Sequence, residues 1–110
     1  MTAKLMTVTS AIALMAGTAT AENFNRSASF MVAEKAPGAE ESSAEIIGAT
    51  ADGMTLVYTD SPAGLVGFID LTDSATPAAL GAIVLEGEPT SVAVAGMMAY
   101  VGENTSQSYT

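Results

Sequence analysis

Ser91-Val92-Ala93-Val94-Ala95-Gly96-Met97-Met98-Ala99-Tyr100-Val101-Gly102 decides how the chain is read, because it repeats the logic of residues 45–59: an apolar strand, a turn glycine, then a second strand carrying a tyrosine. Gly96 stands 43 residues after Gly53, a spacing that belongs to four-stranded propeller blades. The strands upstream fit the same period with a small deletion in the second copy.

Working back from that stretch, residues 44–50, 54–59, 65–71 and 80–85 read as four short β-prone strands. Turn chemistry separates them: Ala51-Asp52-Gly53, then Ser61-Pro62-Ala63-Gly64, then Thr72-Asp73-Ser74-Ala75-Thr76-Pro77, with Gly87-Glu88-Pro89 after the fourth. The strands follow one another too closely for crossover helices, so the sheet is an antiparallel meander. Leu65-Val66, Phe68-Ile69, Ile83-Val84-Leu85 and residues 92–95 are apolar on successive positions. Strands of that kind are covered on both faces, as a blade is by its neighbours. A small sandwich, the alternative architecture, would alternate apolar and polar positions. The expected fold class is all-β: antiparallel four-stranded blades of a truncated β-propeller, about one and a half blades, preceded by a signal peptide.

The ends of the chain fit around this unit. Lys4, the mostly apolar residues 5–17 and Ala19-Thr20-Ala21 have the form of a signal peptide, residues 1–21, cut after Ala21. A membrane anchor is disfavoured because the apolar run is too short to cross about 30 Å of hydrocarbon. Residues 22–43 form an N-terminal strand and loop: 24–32 as the strand, with Arg26, Ala28 and Phe30 on one face, and 34–43, rich in Ala, Glu, Gly, Pro and Ser, as the loop. Ser42-Ser43-Ala44-Glu45 has the spacing of a capping box, but no helical apolar stripe follows it. Residues 44–85 are the first blade and 86–110 a partial, truncated second blade ending in a polar loop. A ring needs roughly four to eight blades. The chain is therefore expected to be an N-terminal fragment whose open sheet edges and apolar faces, such as Phe68, Ile83 and Leu85, favour self-association. Residues 24–31 would close the full ring by pairing with its last blade.

Composition removes whole function classes. The net charge of −9, from 12 acidic and 3 basic residues, argues against nucleic acid or an anionic membrane surface as partner, since both need clustered Lys and Arg. The chain has no Cys and no His, so it offers no disulfide, thiolate, Ser-His-Asp triad or usual zinc site. Any metal would be held by oxygen, which favours calcium or magnesium. Export without cysteine suits a periplasmic or secreted protein with a β core.

Candidate chemistry is sparse. Asp60-Ser61 and Asp70-Leu71-Thr72-Asp73 put carboxylates at strand ends, where hydrolases place acid/base pairs and calcium sites place ligands, but Asp and Ser also make turns there, which is the preferred reading. No Asp-x-Asp-x-Asp-Gly calcium loop is present, and residues 48–53 lack the lysine of a phosphate-binding loop. Glu45 is the carboxylate of most interest, because an inner strand would turn some residues into a central channel; a solvated strand end is the simpler reading. Asn25-Arg26-Ser27 and Asn104-Thr105-Ser106 match the glycosylation pattern, a match common by chance. The methionines read as core filler. No nucleophile–base pair is visible, so no catalytic, cofactor-binding or metal residue is assigned.

A family resemblance follows from particular residues. Gly87-x-Pro89-x-Ser91-Val92-Ala93-Val94-x-Gly96 with Ala99-Tyr100-Val101 is similar to the blade signature of bacterial propellers of the Tyr-Val-Thr-Asn repeat type, with Ala95 where an Asp usually precedes the glycine, which shortens or loosens that turn. Residues 24–30, 43–47, 52–61, 67–70 and 87–94 resemble the N-terminus of exported bacterial proteins of the family with esterase-like activity of phytase. The resemblance implies an N-terminal propeller preceding a phytase-like region that carries any hydrolysis. It implies for this segment a non-catalytic scaffold for a protein or small-molecule ligand, with calcium a candidate cofactor of the full-length protein only. The alternative is a phosphoester or carboxylester hydrolase whose catalytic region lies beyond residue 110.

Overall fold

The structure, a computed structural model, describes residues 24–107. The signal peptide expected at residues 1–21 lies outside the described residues. Six strands are present: β1 Ile47–Ala49, β2 Thr55–Asp60, β3 Leu65–Asp70, β4 Ala78–Val84, β5 Glu88–Ala95 and β6 Met98–Asn104. The first four form one antiparallel sheet in the order β1-β2-β3-β4, and β5 and β6 form a separate antiparallel hairpin. The fold is all-β, with one short 3-10 turn, Val32–Lys35, as the helical element among the described residues.

The expected turn residues fold as their chemistry dictates. Thr50 accepts a backbone bond from Gly53 at 2.8 Å, and Asp52 Oδ1 accepts from the Thr50 hydroxyl at 2.6 Å and the Met54 amide at 3.0 Å. Gly53 closes that loop with φ +71°, in the left-handed region glycine enters without cost to a Cβ. The equivalent turn of the hairpin is the shortened form: Ala95 pairs directly with Met98, leaving Gly96 and Met97 as a two-residue loop. Gly96 has φ +62° at the first central position, as a type II′ hairpin turn requires. The 43-residue offset also relates the strands that follow, since Thr55 opens β2 and Met98 opens β6.

Two faces of the β2–β3 pair are covered by different parts of the chain. On one face Tyr58, Leu65 and Ile69 pack with Ala36, and Phe30, Val32 and Leu56 close around them. On the other, Val57 and Phe68 face Val94, Met98 and Ala99 of the hairpin. Val57, Tyr58, Leu65, Val66 and Ile69 are all buried, each worth about 1.5–3 kcal/mol of apolar burial. The hairpin lies close enough that a Cβ on Gly48 would stand 2.8 Å from Val94 Cγ2, and the Ala51 amide donates to the Gly96 carbonyl at 3.1 Å.

Several expectations need correction. Residues 24–31 form no strand: they pair with no edge, and Phe24 is 98% exposed while Phe30 packs on the core. A β-prone run without a partner edge leaves its amides and carbonyls unpaired, and here apolar contact rather than a ladder fixes the segment. The run 83–85 is not covered on both faces. β4 is exposed throughout, Ile83 by 57% and Val84 by 78%, because it ends the sheet. β5 alternates, with Val92 and Val94 turned toward the first sheet and Ser91, Ala93 and Ala95 exposed. Gly87-Glu88-Pro89 is not wholly a turn: β5 begins at Glu88 and includes a fully buried Pro89, where the register to β6 shifts. Proline is tolerated in a strand at such an irregularity, where its missing N–H costs no ladder bond. The two tyrosines are not equivalent either. Tyr100 falls 43 residues after Val57, so the two-residue strand period puts it on the opposite face from Tyr58: Tyr58 is buried and Tyr100 exposed.

Candidate functional site

The strand-end carboxylates are built into turns. Asp70 Oδ1 accepts from the Thr72 amide at 2.8 Å and the Thr72 hydroxyl at 2.6 Å, and Asp73 Oδ1 accepts from the Ala75 amide at 3.0 Å. The Thr72 hydroxyl, and next its amide, hold the Asp70 carboxyl below the usual carboxylate range. The Thr50 hydroxyl and then the Met54 amide do the same for Asp52. Bonds of this kind are those of side chains that shape a loop.

Asp60 differs in kind because it is fully buried. Its Oδ1 accepts from the Ser43 amide at 3.0 Å and the Ala63 amide at 3.1 Å, and its Oδ2 accepts from the Ser42 hydroxyl. One carboxylate thus fastens the incoming segment 42–43 and the β2–β3 turn to the end of β2. Buried charge persists only where its oxygens are supplied with donors. Tyr58, two residues earlier on the same face, has its phenol pushed up by burial and secondarily by the negative charge of Asp60.

Glu45 does not stand alone, as the sequence reading left it. The Ser61 hydroxyl lies 2.6 Å from Glu45 Oε2 and 2.8 Å from the Pro89 carbonyl. A serine touching a carboxylate is a nucleophile–base contact in composition, and residue spacing gave no sign of it. The geometry favours a brace: the single Ser61 proton has two acceptors, and together they tie the lead-in to β1, the β2–β3 turn and β5 at one corner. A serine nucleophile needs a base free to take its proton and donors for the oxyanion. Among the described residues no group of three or more acidic side chains converges as metal ligands.

The methionines of the described residues are not core filler. Met31, Met54, Met97 and Met98 are all largely exposed, Met97 by 69%. Met54 and Met97 follow the two turn glycines, so the repeat carries them to loop tips instead of the interior.

Among the described residues, two concavities stand out. A crevice of about 280 Å³ lies between the sheets, walled by Val57, Phe68, Val94 and Met98 with Thr50 and Thr55 as its polar groups. A larger open groove of about 740 Å³ runs between residues 35–41 and the exposed strand β4, floored by Ala63 and Leu65. Its size suits a ligand or a peptide segment, and of the features described it has the geometry of a binding site. No helix among the described residues is long and apolar enough to cross a membrane. Comparison of the chain with protein-family models, with curated proteins and with solved structures returned no match.

Proposed function

We propose that this chain is the N-terminal part of an exported β-propeller, one four-stranded blade with the first hairpin of the next, and that it serves as a binding scaffold in the periplasm or outside the cell. The observation that carries the reading is the repeat in three dimensions. A complete antiparallel meander is followed, 43 residues on, by a hairpin with the same glycine-turn-strand order, laid face to face on the meander. The wet outer side of the hairpin, with Ala93, Ala95 and Tyr100, then corresponds to the surface a third blade would cover, as the hairpin covers Val57 and Phe68. Membership of the family with esterase-like activity of phytase belongs to the same proposal. Any hydrolysis would come from residues beyond 110, because the serine–carboxylate contacts among the described residues, Ser61 with Glu45 and Ser42 with Asp60, are used as braces.

The structure of the protein encoded by the whole gene tests the architecture: further blades on the Tyr100 face are expected, and a two-sheet sandwich with that face in water would overturn it. Phytate and p-nitrophenyl esters, with and without calcium, test the role. Turnover by residues 22–110 alone would overturn the scaffold reading. A mature N-terminus at Glu22 after expression in a bacterium would support export.

A further inference from the structure

We propose that the far half of β4 is a β-augmentation site, which takes an extended apolar peptide flanked by basic residues as a fifth strand over the groove beside residues 35–41. This goes beyond the propeller reading without depending on ring closure, since β4 ends its sheet in a propeller and in a sandwich alike.

The backbone supplies the first reason. The Leu85 amide donates to the Gly64 carbonyl at 2.9 Å, and the same register pairs Leu65 with Val84, Val66 with Ile83 and Gly67 with Ala82. In an antiparallel ladder bonded and non-bonded pairs alternate. Leu85 and Ile83 therefore bond toward β3, while the amides and carbonyls of Ala82 and Val84 point away from the sheet as an open edge. The register slips between Phe68 and Ile69, with Leu80 as the extra residue, so the regular edge is the stretch beyond Gly81.

Side chains supply the second. Ala82 and Val84 also border the groove floored by Ala63 and Leu65. A strand paired to their backbone would drop alternate side chains onto that floor, the arrangement by which augmentation gains sequence preference. Natural edges are blunted by charge, proline or shortness. β1 has three residues, β5 begins with Glu88 and Pro89, and β6 carries Glu103, whereas Ala78–Val84 carries no charge at all.

Charge selects the occupant. Glu40 and Glu41 stand on the groove lip against the single Lys35, in a chain of net charge −9. A second copy pairing through its own β4 would bring acidic lips and two acidic chains together, whereas an apolar strand with lysine or arginine at its ends meets complementary charge.

The test uses nitrogen-15-labelled full chain and the synthetic peptide Lys-Thr-Val-Thr-Val-Thr-Val-Lys, with a Glu-ended version as control. Hydrogen exchange at the Ala82 and Val84 amides is expected to slow at least about tenfold with the Lys-ended peptide. The Glu-ended peptide should bind at least about tenfold more weakly, with the difference shrinking in salt. Val84→Pro removes one outward N–H at an exposed edge and should abolish binding with the circular dichroism unchanged. The double variant Glu40→Lys/Glu41→Lys, exposed and remote from the core, should reverse the preference between peptides and serves as the readout should the proline variant unfold. Unchanged exchange at both amides, or equal affinity for the two peptides, would overturn the proposal. So would protection that rises with protein concentration in the absence of peptide, since that identifies a second copy as the occupant. None of these results bears on whether further blades exist.

Discussion

Gly67 and Tyr58 face each other across β2 and β3, and a methyl group placed on Gly67 has nowhere to go. An ideal Cβ there would stand 2.2 Å from Tyr58 Cζ, 2.3 Å from its hydroxyl oxygen and 2.4 Å from Cε1. Carbon atoms rest at about 3.5–4.0 Å, so the ring must retreat by more than roughly 1 Å. It is 2% exposed and shares its cluster with Ala36, Leu65 and Ile69, which leaves it little room. Overpacking of this kind costs about 1–3 kcal/mol, offset by the about 0.5–1 kcal/mol by which alanine outdoes glycine inside a strand. Gly67→Ala is therefore expected to destabilise the chain by about 1 kcal/mol. With Tyr58→Ala the obstacle is gone, although that change alone costs about 3–5 kcal/mol. In this background Gly67→Ala should stabilise by about 0.5–1 kcal/mol, giving a coupling of about 2 kcal/mol. Urea unfolding followed by far-ultraviolet circular dichroism, with an osmolyte added to keep the Tyr58→Ala variants folded, measures all four corners of the cycle. A neutral or stabilising Gly67→Ala in the presence of Tyr58 would refute the packing on which the first sheet is built.

Three further outcomes follow from the same structure. Asp60→Ala should cost about 3–5 kcal/mol in urea unfolding, because it strands the Ser43 and Ala63 amides, whereas Asp60→Asn keeps an acceptor for both and should cost about 1–2 kcal/mol. Gly53→Ala and Gly96→Ala meet no atom within 4 Å, so each should lose only the backbone cost of a left-handed alanine, about 1 kcal/mol. Equal losses at the two sites would support equivalent turns, and a several-fold difference would contradict it. Burial, and next the Asp60 charge, raise the Tyr58 phenol above 10.0 in the folded chain. The phenol therefore ionises first in the unfolded state: its contribution is fully present below about pH 10 and is lost as pH climbs through the folded value. Urea midpoints between about pH 8 and about pH 11 should fall less steeply for Tyr58→Phe than for the unaltered chain.

The places where sequence reading succeeded and failed divide along one physical line. The glycine turns at Gly53, Gly64 and Gly96, the Asx bonds of Asp52 and Asp70, and the β-prone runs between them were legible because each is settled by atoms a few residues apart. Coverage was not. Successive apolar positions look alike at 65–66 and at 83–84, yet Leu65 and Val66 are buried and Ile83 and Val84 lie open, since only the position of a strand in its sheet decides which faces are covered. Residues 24–31 have the composition of a strand and no edge to join. Met54 and Met97 have the composition of filler and sit at turn tips.

Local chemistry by itself determined the all-β class, the six strands after residue 44 and their order, the antiparallel meander and the 43-residue echo of its turn in the hairpin. Tertiary structure alone decided that Asp60 is a buried fastening, that Ser61 joins Glu45 to Pro89, that the segment around Phe30 and Ala36 covers one face of the sheet, and that a groove opens along β4. Turns and strand propensity are properties of neighbours along the chain, whereas burial and the meeting of polar groups from residues 45, 61 and 89 exist only once distant segments share the same space.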